Sequence, residues 1–287
     1  MTEATIDTAL SSLTDIDGGL TDSATTDIRV DHRGALWTRD APTTSTTEHR
    51  FGRNPAMSTS WQDVWTRGGL YAWPVAADNI EFISDSVLDA QTGAGARTII
   101  LEGLDDNWNF QTETLDTHAT DGTAARITSN LQYRRMNMAY VGLTGAYGAG
   151  LTGGNVGNIT IDWATGNVAC AEILAPAGMP MGQSQVGRYT VPAGKEVYIH
   201  SFFVNVDSGA NKTADVVLFH RPNGDDVTTP FQSRRILMYL DGLSGFNSAS
   251  FKEPFGPFPA KTDIWWSCIA EAASASTTDM ELEIVTL

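Results

Sequence analysis

Two cysteines, five histidines and 18 lysines plus arginines are few for a chain of 287 residues. Each scarcity excludes something. Zinc sites need His or Cys paired at short spacing, and His32, His49, His118, His200 and His220 are scattered. His200 and His220 fall on neighbouring expected strands, where they would meet as structural residues rather than ligands. Cys170 and Cys268 are far apart, and Cys268 sits in the apolar run Asp263–Ala270. Two buried thiols are therefore preferred to a disulfide. Against 34 Asp plus Glu, the few cations leave a net charge of −16. That argues against nucleic acid, which requires a basic face, and against anionic membrane. No apolar run approaches the roughly 20 residues that cross a bilayer, and Met1-Thr-Glu-Ala lacks a signal peptide's apolar core. A protein made and soluble in the cytoplasm is expected.

Catalytic and cofactor motifs are equally scarce. The glycine-rich stretch Gly142–Gly157 contains no lysine, so it is no P-loop. It leads into a strand at Ile159 rather than a helix, so it is no dinucleotide loop. Asp15-Ile-Asp17-Gly-Gly lacks the later ligands of a calcium loop. There is no Gly-x-Ser-x-Gly elbow. Asp105 and Asp106, adjacent in one turn, cannot oppose each other across a sugar at the roughly 5–9 Å that glycosidases need. No catalytic, cofactor-binding or metal residue is assigned, and no cofactor is expected.

Glycine and short alternating segments are what the chain does have. Twenty-seven glycines separate strand-like runs: Leu70–Pro74, Asn79–Ser84, Arg97–Glu102, Glu113–Thr117, Ala125–Thr128, Tyr133–Val141, Asn158–Trp163 and Val168–Ile173. A second block follows: Glu196–Val206, Asp215–Arg221, Arg234–Leu240, Phe246–Phe251, Asp263–Ala270 and Met280–Leu287. In Asn158–Trp163, Ile159, Ile161 and Trp163 share one face, the period of a half-buried strand. In Glu196–Val206, Tyr198, His200, Phe202 and Val204 share one face and Val197, Ile199 and Phe203 the other, as in a central strand between layers. Long helix-period segments are missing, and one weak amphipathic pattern, Ile6, Leu10 and Leu13, allows a short helix near the start. This pattern predicts an all-β protein of two tandem β-sandwich modules, jelly-roll or immunoglobulin-like. Residues 51–175 and 176–287 form the modules, and residues 1–50 an extended N-terminal arm.

Residues 1–50 are rich in Thr, Ser and Asp. Their apolar residues Ile28, Val30, Leu36 and Trp37 have no local core to join. Two readings stand: a polar tail without structure, or an arm that adds to the sheet edge of a neighbouring subunit. Trp61, Trp65 and Trp73 offer either sugar-binding faces or packing at a domain start or interface.

Phe51–Leu115 carries a series of recognisable motifs. They are Gly52-Arg53-Asn54-Pro55, Gln62-Asp63-Val64-Trp65, Gly68-Gly69, Tyr71 and Pro74, followed by Ile80-Glu81, Ser84 and Ser86. Thr92-Gly93-Ala94-Gly95-Ala96-Arg97-Thr98, Gly103-Leu104-Asp105, Trp108 and Glu113-Thr114 complete it. This series resembles a family of small virion proteins of tailed bacteriophages, many of them marine. Weaker echoes at Asn155–Ile161, Tyr189–Lys195 and Pro259–Ile264 extend the likeness over most of residues 30–287. The resemblance implies a non-enzymatic virion component assembled in the host cytoplasm: a capsid decoration or cement protein, or a fibre-like part of the neck or tail. Expected partners are capsid, portal, neck or tail proteins and further copies of the chain, as a homotrimer. The expected contact residues are Ile28, Val30, Leu36 and Trp37 in the arm, with Arg53, Trp61 and Trp65 at its hinge. The alternative is a host receptor- or carbohydrate-binding adhesion protein that reads a surface glycan through a sandwich loop or Trp108.

Overall fold

The computed structural model describes residues 45–145, 154–175, 182–207, 212–228, 233–272 and 274–286. The arm residues Ile28, Val30, Leu36 and Trp37, the middle of the 142–157 hairpin and the 176–180 linker lie outside these. Strands are the dominant element of the described residues, whose single helical element is the 3-10 turn Thr165–Asn167. None forms a helix long and apolar enough to cross a membrane.

The chain opens with β1 (Ser45–Met57) and β2 (Gln62–Asp63). It then builds one sandwich from β3 (Asp78–Ser84), β4 (Thr98–Leu104), β5 (Phe110–Asp116), β6 (Ile127–Tyr133), β7 (Arg135–Val141), β8 (Ile159–Trp163) and β9 (Val168–Ile173). Another is built from β10 (Arg188–Thr190), β11 (Lys195–Asp207), β12 (Ala214–Arg221), β13 (Arg235–Leu243), β14 (Gly245–Phe258), β15 (Asp263–Ala270) and β16 (Ser274–Thr286). In the first sandwich a β6-β3-β8-β9 sheet faces a β5-β4-β7 sheet. In the second, β1-β16-β11-β14 faces β10-β15-β12-β13, with β2 added on β15. All pairings are antiparallel. Each sandwich has its own core: Ile80, Ile99, Leu101, Tyr133 and Ile161 in the first, Val197, Val204, Leu218, Trp266 and Leu282 in the second.

The expected all-β sandwich architecture is therefore present, but the modules are nested rather than strictly tandem. β1 runs across the expected boundary at residue 50 and pairs with β16 from Ser45↔Val285 to Asn54↔Ser276. Residues 45–64 thus belong to the second sandwich, and the first is inserted between β2 and β10. The chain crosses at Val64–Trp65 and returns at Val186–Gly187, and the crossings lie side by side, with Trp65 bridged to Val186. Gly187 N–H donates to the Val64 carbonyl at 2.8 Å, and Val64 N–H to that of Trp266 at 2.9 Å.

Several strands depart from simple alternation for local reasons. A bulge at His200 in β11 shifts the phase by one residue. Val197, Ile199, Phe202, Val204 and Val206 all face the core as a result, where plain alternation divides them between two faces. Tyr133–Val141 is two strands, β6 and β7, broken at Arg134. Leu70–Pro74 forms no strand: it is the segment in which Tyr71 and Trp73 pack at the module junction. His200 and His220 stand on strands of different sheets, β11 and β12.

The motif residues explain themselves as turns and close approaches. A Cβ at Gly52 would fall 2.4 Å from the Gly187 backbone, so only glycine lets β1 cross there. Buried Asn54 donates to Gln62 Oε1 at 3.0 Å and accepts from Ala56 N–H at 3.0 Å, closing the bend at Pro55. Trp65 Nε1–H donates to the Gly69 carbonyl at 3.1 Å, across a turn whose Gly68 and Gly69 have φ of 63° and 70°. Buried Asp89 accepts from Ser84 Oγ (2.6 Å) and from the N–H groups of Ala96 (2.8 Å), Val156 (2.8 Å) and Gly157 (2.9 Å). A Cβ at Gly95 would lie 2.0 Å from the Asp89 carboxylate.

Candidate partner-binding face

Of the expected contact residues outside the arm, Trp61 is 38% exposed in the turn between β1 and β2, and Arg53 is half-buried on β1. Trp65 is only 3% exposed. It packs edge-on against Tyr71, with ring centroids 5.5 Å apart, so it joins the two modules rather than meeting a partner.

That junction is a chain of arginines over aromatic rings. The Arg188 guanidinium lies 3.7 Å from the Tyr71 ring centroid and donates to the Cys170 carbonyl at 2.7 Å. Tyr71 packs on Trp73 at 5.0 Å, and Trp73 on Trp265 at 5.2 Å. Arg135 lies over both Trp73 and Trp108. It reaches across to Asp263 on β15, with Nε at 2.9 Å and Nη2 at 3.1 Å from the carboxylate oxygens. Asp263 is fully buried and also accepts from Thr190 Oγ1 (2.7 Å) and Arg221 Nη2 (2.5 Å). Such a bidentate pair, with its lone pairs occupied, fixes the relative orientation of the sandwiches.

The other candidates resolve as structural. Asp105 Oδ1 accepts from the N–H groups of Asn107 and Asn109, each at 2.8 Å, and Asp106 pairs with Arg134 at 2.9 Å. Trp108 is buried, so it presents no sugar platform. Its carbonyl accepts from Ala193 N–H at 2.7 Å, tying the first sandwich to the second. Cys170 and Cys268 are free and buried in separate cores. Burial pushes both thiols up to about 12. Among the described residues no group of His, Cys, Asp or Glu is arranged to hold a metal.

One surface is unlike the rest. β13 and β14 are the edge strands of the two facing sheets of the second sandwich, and only Ser244 separates them. The sequence Ile236-Leu-Met-Tyr-Leu240 is as apolar as the buried β12 beside it, yet no residue of β13 is buried. Ile236 (62%) and Tyr239 (50%) are exposed on β13, where they pair with Phe219 and Val217 of β12, while Phe246 (68%), packed on Phe203, and Phe255 (41%) are exposed on β14. Leu237, Met238, Leu240, Leu243, Ala249 and Phe251 lean against the core from this side. Among the described residues no strand pairs with the outer edge of β13, so one row of its backbone groups is unladdered there. Its polar border is defined: Arg235 is exposed, and Arg234 lies 4.5 Å from the Phe219 ring centroid. Tyr239 Oη donates to Asp215 at 2.8 Å, which pushes the phenol up to about 12. Burial first, then Arg235, holds His220 below its ordinary imidazole value. Sequence reasoning missed this face, although a signal existed: apolar residues on both faces of β13 where one face would suffice.

No family model and no curated protein matches the chain. Among solved structures it is similar to the infectious bursal disease virus Gt strain structure, at 12% identity, covering 85% of this chain and 72% of the other, with a TM-score of 0.23. The VP2 subviral particle of infectious bursal disease virus gives 10% identity, 84% and 75% coverage, and a TM-score of 0.22.

Proposed function

We propose that this chain is a non-enzymatic structural protein of a tailed-phage virion, an accessory capsid decoration or a fibre-like component of the neck or tail. The observation that carries this is the open β13–β14 edge. Exposed aromatic and aliphatic side chains on a body locked rigid by Arg135 and Asp263 suit lasting packing against another protein rather than turnover of a substrate. The motif series in residues 51–115 supports the virion origin, and the net charge of −16 suits a solvent-facing particle surface. The proposed partners are other virion proteins and copies of the chain itself, as a trimer.

Host attachment through a glycan is the weaker reading, because Trp108 is buried at the module junction. Cryo-electron microscopy of purified particles tests the proposal. Density at capsid three-fold or hexon positions identifies a decoration protein, and density confined to neck or tail a fibre or adaptor component. Absence from the particle overturns the proposal.

A further inference from the structure

We infer that β13 pairs antiparallel with β13 of a second copy of this chain, about a two-fold axis between Leu237 and Met238. This goes beyond the proposed function by naming one face through which copies meet. Each chain has a single β13, so the strand received comes from a neighbour. The contact is two-fold, so it lies apart from the trimer's own and would join one trimer to the next. β13 is laddered to β12 on one side, and its other edge has no strand among the described residues. The directions in which its side chains face set the register.

Ile236 and Tyr239 pair with Phe219 and Val217, which form a cluster with Trp265 outside the sandwich core, so both face outward. Leu237, Met238 and Leu240 pack against that core. A bulge between the Leu218↔Met238 and Phe219↔Ile236 pairs turns two successive residues, Leu237 and Met238, inward. Arg235 pairs with His220, whose ring packs on core Phe258, so it stands on the inner side. Arg234 lies over the Phe219 ring, and Asp241 stands with Asp215 at the Tyr239 hydroxyl, so both are on the outer face. From Arg234 to Asp241 the order is out, in, out, in, in, out, in, out. It reads the same in both directions.

A self-pairing antiparallel strand requires that symmetry, because directly opposed residues project from the same face of the joined sheet. Here Ile236 faces the partner's Tyr239, and Tyr239 the partner's Ile236, which takes both exposed apolar side chains out of water. Leu237 faces the partner's Met238, where each sandwich core is open. Charge matches at both ends. Arg234 faces the partner's Asp241, bringing a cation to the carboxylates gathered at Tyr239. Sliding the partner by one residue either way sets outward residues against inward ones and parts both ion pairs. The two bulges meet at the axis, so the bends they impose coincide.

The test mixes two full-length chains in solution, one carrying Ile236→Cys and the other Tyr239→Cys with a different affinity tag. Directly opposed residues lie close enough for a disulfide, whereas the two copies of residue 236 are offset by about 10 Å along the strands. Cys170 and Cys268 are buried and take no part. The expected result is a disulfide-linked pair carrying both tags. Its yield should be roughly tenfold above that of Ile236→Cys alone, or of Ile236→Cys mixed with the exposed control Val168→Cys. Equal yields from the three samples overturn the inference. A second measurement needs no cysteine. Arg234→Asp and Asp241→Arg each set like charges together at both ends, so each alone should self-associate roughly tenfold more weakly than the parent in sedimentation. Mixed, the two variants restore both ion pairs between them and should associate as the parent does. A mixture that associates no better than either variant alone also overturns the inference.

Discussion

Arg135 and Asp263, 128 residues apart in sequence, form a bidentate ion pair buried between the two sandwiches. Burial by itself would raise the Asp263 carboxyl, but the Arg135 and Arg221 guanidiniums outweigh it and hold it below its ordinary 3.8. A carboxylate depressed in the folded state contributes stability that is complete above its unfolded value and lost as pH falls through the folded one. Asp263→Asn should therefore cost about 3–5 kcal/mol at neutral pH, because it leaves buried arginine charge uncompensated. Urea unfolding of both proteins should show that gap constant down to pH about 4 and narrowing only below it. A gap that closes between pH 7 and pH 5 would contradict the assignment.

The Asp89 carboxylate makes a comparable demand on the first sandwich. It collects four donors from three segments, and an amide in its place would set its own N–H groups against some of them. Asp89→Asn should destabilise by about 3 kcal/mol, the loss of one or two hydrogen bonds to a buried charge. Gly95→Ala should be similarly damaging, since the new methyl would lie on that carboxylate. Full retention of the urea midpoint in both variants would show that the 89–96 loop is looser than its geometry.

Much of this was legible beforehand. Ile159, Ile161 and Trp163 alternate in β8, and all three are buried. Glycine breaks delimit most strands because turns need their backbone freedom. What escaped has physical causes. The bulge at His200 leaves no mark in a plain alternation, so the faces of β11 were misdivided. The first half of β1, Ser45–His49, is polar and largely exposed because the ladder with β16 rather than buried side chains holds it, so it reads as part of the arm. The Arg135–Asp263 pair and the open β13–β14 edge are long-range relationships created by topology, which local periodicity does not encode.

The two cysteines offer a direct check on the cores. Both thiols are fully enclosed, with burial pushing them up to about 12, so each is protonated and shielded at pH 8. A thiol reagent should label neither in the native protein and both after denaturation, with no prior reductant needed. Rapid labelling of Cys170 without denaturant would mean that the first sandwich opens readily.

Trp108 separates a structural from a recognition role. It is buried with φ of 68° beneath Arg134 and Arg135. Trp108→Ala should cost about 3–5 kcal/mol through the lost ring volume and cation–π contacts. Thermal unfolding measures this. A variant of unchanged stability that has lost glycan binding would return Trp108 to the surface-reader role.

Truncation divides assembly from folding, and the boundary is Ser45 rather than residue 51. β1 inserts Arg50, Gly52, Asn54 and Met57 into the second sandwich, with Arg50 over the Tyr189 ring at 5.1 Å and Met57 in the core. Removing residues 1–44 leaves every described β1–β16 pair in place, so the melting temperature should stay within about 2 °C while assembly is lost. Removing residues 1–57 strips an edge strand from β16 and empties the Met57 site, a loss of several kcal/mol, so melting should fall by about 10 °C or more. A cut after residue 50 should behave like the longer deletion, because it severs β1 midway and takes Arg50 with it. If that protein melted with the full-length chain, the β1–β16 ladder would be dispensable, and the arm would extend further than the topology allows.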